Sequence, residues 1–190
     1  MPIQKKTPFL ILDIDHTLIH CMLYKDIHEG DDINNAIVGH KEVVHKYEEN
    51  CELQEDTFCI FIRPGLFEFL DWCNRNFKII IYSAGLPVYI DMILDYFKSI
   101  LPHLVIHDIY SRNDMVPYQL NNEIVFIKSI MAIPYLAGLG KNYVILDDID
   151  YHYPYSQEKR ILISAWEYHM ADDNKLELVA EVLSAIINVD

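Results

Sequence analysis

The chain is short of the features that cross-link or metallate a small protein. Its four cysteines, Cys21, Cys51, Cys59 and Cys73, form no CxxC pair and have no flanking His/Cys cluster at zinc-site spacing. That excludes a zinc-finger framework and fits reduced, mostly buried thiols in a reducing compartment. Basic residues are few: 15 Lys plus Arg face 29 Asp plus Glu, for a formal net charge of −14. A surface of that sign cannot replace counterions along a nucleic-acid backbone, so extended nucleic acid is excluded as a general partner, while a local basic pocket is not. Long apolar runs are missing too. The start, "MPIQKKTP", leads into a short apolar run, Phe9 to Leu12, too brief for a signal-peptide core or a membrane span. A soluble intracellular protein is expected, cytoplasmic and nuclear alike. No repeat, low-complexity tract or Gly/Ser/Pro linker divides the chain. One domain over residues 1–190 is expected, with a core that a 52% hydrophobic composition can fill.

Four short runs have the length and β-branched content of buried strands: "FLILDI" (9–14), "FKIIIYS" (77–83), "NYVILDD" (142–148) and "RILIS" (160–164). Helical spacing lies between them. "GLFEFLDWCNRN" (65–76) follows Arg63-Pro64 and puts Leu66, Phe69, Leu70 and Cys73 on one stripe. "PVYIDMILDYFKSIL" (87–101) does the same with Val88, Met92 and Tyr96 beside Ile93 and Phe97. A last helix, from about Asp173 to Ile187, opens on an Asp-Asp-Asn cap and aligns Leu176, Val179, Leu183 and Ile186. Apolar strands alternating with helices predict an α/β fold whose central, mostly parallel sheet is covered on both faces. Residues 24–57 break this pattern. They are charged and carry the alternating "KEVVHKYEE"; with "TFCIFIR" (57–63) they predict a β-hairpin insert after the first strand, its tip near Asn50 to Glu55.

In such sheets ligands bind off the carboxyl ends of the strands. Three of the runs end there in polar groups: Asp13 and Asp15, Ser83, and Asp147 with Asp148. A lone Asp-x-Asp after a strand is most often a solvated turn. Two carboxylates from one strand and two from another, however, form a like-charge cluster that is costly without a cation. Oxygen-only donors favour a hard ion, Mg2+ rather than zinc. The same cluster suits phosphoryl transfer, in which metal and hydrogen-bond donors neutralise phosphate oxygens. One carboxylate can then attack phosphorus and a second, two residues on, can move the proton.

These motifs carry a family resemblance. "DIDHTL" resembles the DxDxT motif of haloacid-dehalogenase (HAD) superfamily phosphatases, with His16 in its variable place. Ser83 in "IIIYSAG" is similar to the hydroxyl residue of the second motif, where threonine is more frequent. Lys128 in "VFIKSI" stands where the third-motif lysine would be, and "VILDD" resembles the acidic fourth motif. Within the superfamily the chain most resembles the branch acting on the C-terminal domain of RNA polymerase II and its small, NLI-interacting-factor-like relatives. "IRPGLFEFL" (62–70), "SRND" (111–114), "SAW" (164–166) and "MADDNKLELVAEVL" (170–183) are similar to that branch's pattern, and the likeness covers about residues 8–186.

The resemblance implies a HAD-like Rossmannoid three-layer fold without a large cap, and an Mg2+-dependent phosphatase working through an aspartyl-phosphate. Asp13 would be nucleophile and metal ligand, and Asp15 general acid/base with its backbone carbonyl on the metal. Thr17 would orient the loop around the phosphate, Ser83 and Lys128 would hold phosphate oxygens, and Asp148 with Asp147 would complete the metal shell. Arg112 would face the substrate, which the branch implies to be a phosphoserine or phosphothreonine protein. Nucleotides, nucleic-acid ends and small metabolites are the rival substrates, and a non-catalytic binding module of the same fold is the alternative of another class. Outside the resemblance, Lys128 reads as an ordinary helix-start lysine and Arg63 as half of a structural salt bridge. His152 is placed at the mouth of the site. The tract Tyr151, Tyr153, Pro154 and Tyr155 reads equally as an aromatic wall for a peptide and as a packed loop or self-association patch.

Overall fold

A computed structural model describes residues 7–23, 25, 40–49, 52–140, 142–154, 159–170 and 172–189; at 40–49, 52–56, 188 and 189 it describes the backbone alone. In chain order the elements are β1 (Phe9–Leu12), β2 (Ile19–Leu23), β3 (His40–Glu49), β4 (Glu52–Ile62), α1 (Leu66–Asn76), β5 (Lys78–Tyr82), α2 (Pro87–Ile100), β6 (Ile106–Tyr110), β7 (Val116–Leu120), β8 (Glu123–Ile127), α3 (Pro134–Ala137), β9 (Tyr143–Asp147), β10 (Arg160–Leu162) and α4 (Lys175–Val189). Five parallel strands form the central sheet in the order β10-β9-β1-β5-β6. β1 is its middle strand, with Leu12 in register between Ile81 and Leu146.

Alternation along these strands feeds two cores. Leu10, Leu12, Ile79, Ile81, Val144 and Leu146 face the larger one, which α1, α2 and α4 cover. Ile11, Ile80, Tyr82 and Ile145 face the other, closed by Ile133 and Leu136 around α3 and by Tyr153. Continuous apolar strands are what burial on both faces requires. The four predicted runs are four of these strands, trimmed by one or two residues. β6 escaped prediction because "IHDIY" mixes polar and apolar residues instead of forming an apolar run, and is half-buried and exposed by turns. Its neighbours β7 and β8 form a separate antiparallel pair whose turn, Asn121-Asn122, has φ of 49° and 69°, the twist-matching hairpin conformation that asparagine tolerates.

α1 buries all four residues expected of it, Leu66, Phe69, Leu70 and Cys73. α2 differs in phase. It buries Ile90, Met92, Ile93, Leu94 and Phe97, while Val88 is 43% exposed; at 3.6 residues per turn Val88 lies on the side opposite Ile90, Ile93 and Phe97. α4 buries Leu176, Val179 and Leu183 but leaves Ile186 exposed. The insert pairs β3 with β4 and β4 with β2 in a three-stranded antiparallel sheet. Glu49 faces Glu52 and the pairing runs on from there, so residues 52–55, expected in the hairpin tip, belong to β4; residues 50 and 51, like 26–39, lie outside the described residues. Among the described residues no helix is long and apolar enough to cross a membrane.

One side chain ties these parts together. Arg63, fully buried, leaves β4 and forks onto Asp173, Nε to Oδ1 and Nη2 to Oδ2, each at 2.9 Å. Its Nη1 donates to the carbonyls of His16 at 3.2 Å and Thr17 at 2.9 Å, and Nη2 also donates to the Ser164 carbonyl at 3.0 Å. Asp173 Oδ1 in turn accepts the Lys175 N–H at 3.1 Å, at the start of α4. Arg63 is thus the structural salt bridge its sequence context suggests, and only a planar guanidinium could serve a carboxylate and three carbonyls at once. Arg63→Met strips the donor from all of them. It is expected to cost about 3–5 kcal/mol in urea unfolding, the range for removing one partner of a buried pair; a loss below about 1 kcal/mol, typical of an exposed pair, would mark the clamp as dispensable.

Candidate active site

β1 hands over to the site without a break in its ladder: the Asp13 N–H still donates to the Leu146 carbonyl at 3.0 Å. The chain then reverses. His16 adopts φ 58°, its N–H donates to the Ile19 carbonyl at 2.7 Å, and the Leu18 N–H returns to the Ile14 carbonyl at 2.8 Å. A left-handed conformation at a non-glycine residue costs on the order of 1–2 kcal/mol and needs outside support. The Trp166 N–H supplies it, donating to the His16 carbonyl at 2.8 Å beside the Arg63 contact.

At the carboxyl edge of the sheet Lys128 Nζ lies 2.5 Å from Asp13 Oδ1 and 2.5 Å from Asp147 Oδ2, all three groups buried. Lys128 follows β8 and is pinned through its own N–H, which donates to the His152 carbonyl at 2.9 Å. Asp147 is further engaged by the Ile149 N–H at 2.8 Å and by His152 Nδ1 at 3.3 Å. Asp148 Oδ1 accepts the Thr17 hydroxyl at 3.1 Å. Carboxylate oxygens of Asp13, Asp147 and Asp148 lie within 4.8 Å of one another, the one such group among the described residues. Three oxygen donors at that spacing fit a hard divalent cation and not a thiophilic one. Since both Asp147 oxygens are already engaged by protein donors, Asp13 and Asp148 are the carboxylates best placed to receive it.

The Asp15 carboxyl stands apart from that group. It accepts the hydroxyl of Tyr89, on the first turn of α2, at Oδ1. Ser83, buried at the end of β5, accepts the Gly85 N–H on Oγ at 3.0 Å, which leaves its hydroxyl proton to donate. Arg112 is exposed and crosses to the same loop, Nε donating to the Ala84 carbonyl at 2.7 Å. Thr17 therefore meets Asp148 and Lys128 meets Asp13 and Asp147, while Ser83 and Arg112 meet the loop that follows β5.

Burial pushes the Asp15 carboxyl above its ordinary value, against the pull of Tyr89. Burial likewise raises Asp13, outweighing Lys128, with the charge of Asp147 adding to the rise. Asp147 goes the other way: in spite of burial, Lys128 and His152 hold it below the usual carboxylate range. The Lys128 ammonium is raised, because Asp13 and Asp147 more than offset its burial. Burial and the neighbouring Asp15 push the Tyr89 phenol so far up that it remains a donor. Groups poised apart in this way are what acid–base chemistry on one site needs.

Neither of two HxxxH spacings, His16/His20 and His103/His107, joins a metal-holding group among the described residues. The rings of His16 and His20 pack edge to face at 5.0 Å, His103 bonds Asp71 at 2.7 Å and His107 bonds the Tyr135 hydroxyl at 2.9 Å. The aromatic tract divides: Tyr153 is packed in the core with Tyr82 and lies 6.0 Å from Lys128 Nζ, Tyr151 is 40% exposed, and Tyr155 lies outside the described residues. His152 is not at the mouth but buried against Asp147.

The model of the NLI interacting factor-like phosphatases matches residues 8–190 of the chain. The chain belongs to that family. Among proteins with NLI interacting factor-like similarity, Phosphatase PSR1 of Saccharomyces cerevisiae is 25% identical over 90% of this chain and 34% of its own length. CTD small phosphatase-like protein 3 of Caenorhabditis elegans is 25% identical over 93% of this chain and 53% of its own. The chain thus spans about half or less of these relatives. In fold it is similar to the fission yeast RNA polymerase II CTD phosphatase Fcp1, with a TM-score of 0.64 over 96% of this chain and 51% of that one at 16% identity. The five-stranded parallel sheet, with no large cap among the described residues, is the HAD-like arrangement expected of the chain.

Sequence reasoning left Tyr89 out of the site and gave His152 the wrong place. Tyr89 sits in a helix that reads simply as amphipathic, and only the pairing of β1 with β5 brings it to Asp15. Two outcomes test the ionic centre. Lys128 has a folded-state value above the unfolded one, so its contribution is whole below about pH 10.4 and fades as pH rises through the raised value. Lys128→Met is expected to melt with a shallower alkaline decline than wild type; identical profiles would remove Lys128 from the centre. Magnesium chloride at roughly 100 times its dissociation constant should add about 2.7 kcal/mol of stability, and thermal melts of Asp148→Asn should show no such gain.

Proposed function

We propose that the chain hydrolyses phosphomonoesters through an aspartyl-phosphate on Asp13, with Mg2+, and that its substrates are phosphoserine or phosphothreonine proteins. The observation that carries the reading is the grouping of Lys128, Asp13, Asp147 and Asp148 at one sheet edge, with Asp15 held beside it on a separate partner. Lys128 holds Asp13 Oδ1, which leaves Oδ2 to attack phosphorus. As that bond forms, the ester P–O bond breaks and Asp15 passes its proton to the departing oxygen, releasing an alcohol. Water then attacks the phosphorus, the bond to Asp13 breaks, and Asp15 takes the water proton, releasing inorganic phosphate. Asp15's raised protonation range suits the first of these duties.

Ser83 and Lys128 are proposed to hold the phosphate oxygens, and Thr17 to steady Asp148 and the loop. Asp13 and Asp148, with Asp147 beside them and the Asp15 backbone carbonyl, would hold the cation. A bound divalent ion supplies charge neutralisation on the transferring phosphoryl group. The protein-substrate part of the reading is supported by the exposed Arg112 at the rim, by the lack of a large cap among the described residues, and by the family name borne by the worm relative.

Hydrolysis of p-nitrophenyl phosphate by wild type and Asp13→Asn, with Mg2+ and with chelator, decides the chemistry. Metal-dependent release should vanish in the variant, a drop of at least about 10³-fold, while its circular dichroism spectrum is unchanged. Retained activity would sink the nucleophile assignment. A phosphopeptide tested beside nucleotide and sugar phosphates at equal metal should show the higher kcat/KM; the reverse order would replace the substrate class.

A further inference from the structure

Asp15 is the one carboxyl of the site that bonds to an aromatic hydroxyl, and the ring that delivers it is wedged in place. Tyr89 Oη donates to Asp15 Oδ1, and the Cys21 thiol on β2 is a second hydrogen-bond neighbour of the same hydroxyl. The ring lies over Gly85 so closely that a Cβ there would come within 2.5 Å of Tyr89 Cδ1. On another side it meets Phe58 of β4, ring centroids 6.2 Å apart. Gly85, β4 and the thiol therefore leave the phenol one place to point, and Asp15 occupies it.

A carboxyl has two near-equivalent oxygens and turns easily about its Cβ–Cγ bond. A hydrogen bond held on one oxygen removes that freedom and chooses which oxygen faces the substrate. We propose that Tyr89 is a positioning residue for Asp15: its hydroxyl occupies Oδ1, so that Oδ2 alone exchanges a proton with the leaving oxygen, and it keeps the carboxyl from swinging into the Asp13–Asp147–Asp148 group. This rests on the reading of Asp15 as the general acid. The balance of the step is unchanged: the proton leaves Asp15 Oδ2, the ester P–O bond breaks, and the alcohol departs neutral. No role of this kind falls to the other aromatic groups near the site, since Tyr82 bonds the Asp114 carbonyl and Tyr153 faces the core.

The test uses two esters that differ in their need for the proton. An alkyl phosphate such as a phosphoserine peptide must protonate its leaving oxygen, whereas p-nitrophenyl phosphate departs as a stable anion. Tyr89→Phe keeps the wedged ring and removes only the hydroxyl. It is expected to lower kcat/KM for the phosphoserine peptide by about 10–100-fold, a part of the usual gain from a well-placed general acid, and for the aryl ester by less than about threefold. A second reading needs no turnover: a downfield hydroxyl proton resonance, present in wild type, should be lost in both Tyr89→Phe and Asp15→Ala. Equal losses for the two esters, no loss for either, or a missing resonance in wild type overturns the assignment while leaving the phosphatase standing. Wild-type protein that hydrolyses neither ester with Mg2+ overturns both.

Discussion

The buried ammonium of Lys128 is what allows this sheet edge to exist. Asp13 and Asp147 end neighbouring parallel strands and Asp148 follows directly, so the topology brings anions together with little water to separate them. Unit charges at about 4 Å interact by roughly 4 kcal/mol even at an effective dielectric of 20. Lys128 turns that repulsion into attraction by lying 2.5 Å from two of the three. Its anchoring carries the consequence outward. The Lys128 N–H holds the His152 carbonyl, His152 returns to Asp147, and Tyr153 closes the second core beneath the ammonium. The lysine, the loop after β9 and one face of the sheet are therefore a single packed unit.

Opposite this unit stands the loop after β1, whose shape is strained and externally held. His16 is left-handed, and its carbonyl is shared by the Trp166 N–H and Arg63. Arg63 reaches in turn to Ser164 and to Asp173 at the start of α4. The "SAW" segment and the last helix thus act on the site at a distance: they touch the backbone between Asp15 and Leu18, not the carboxylates. Tyr89 completes the frame from α2. Each carboxyl has its own fixed donor, Lys128 for Asp13 and Asp147, Thr17 for Asp148, Tyr89 for Asp15. Orientation of this kind is what proximity effects in catalysis demand.

Much of this was legible in the chain, for local reasons. β1, β5 and β9 are buried on both faces, so they must be nearly continuous in apolar residues, and their polar ends mark the carboxyl edge; β10, an edge strand, is half-buried at Arg160 and Ile161 and exposed at Leu162, and was legible only as a short apolar run. The α1 stripe was legible because one face of that helix meets the core and the other meets water. β6 and the β7–β8 pair were not. β6 lies at the edge and mixes His107 and Asp108 with apolar residues, and the β7–β8 pair forms no part of the main sheet. Val88 and Ile186 show the limit of helical periodicity, since a helix apolar on more than one side does not disclose which side is covered.

By itself the sequence determined four of the five strands of the sheet, the strand ends on which the acidic residues fall, and the family, because apolar runs and motif order are properties of contiguous residues. Tertiary structure alone decided the partners. That Lys128 bridges Asp13 and Asp147, that Thr17 meets Asp148 across 131 residues, and that Tyr89 rather than a cation neighbour holds Asp15 follow from which strands lie side by side. The same holds for Arg63, whose choice of Asp173 over many nearer acids is settled only when the segment after β4 meets the one before α4. Charge pairing is a matter of a few ångströms, and those are set by packing between segments far apart in the chain.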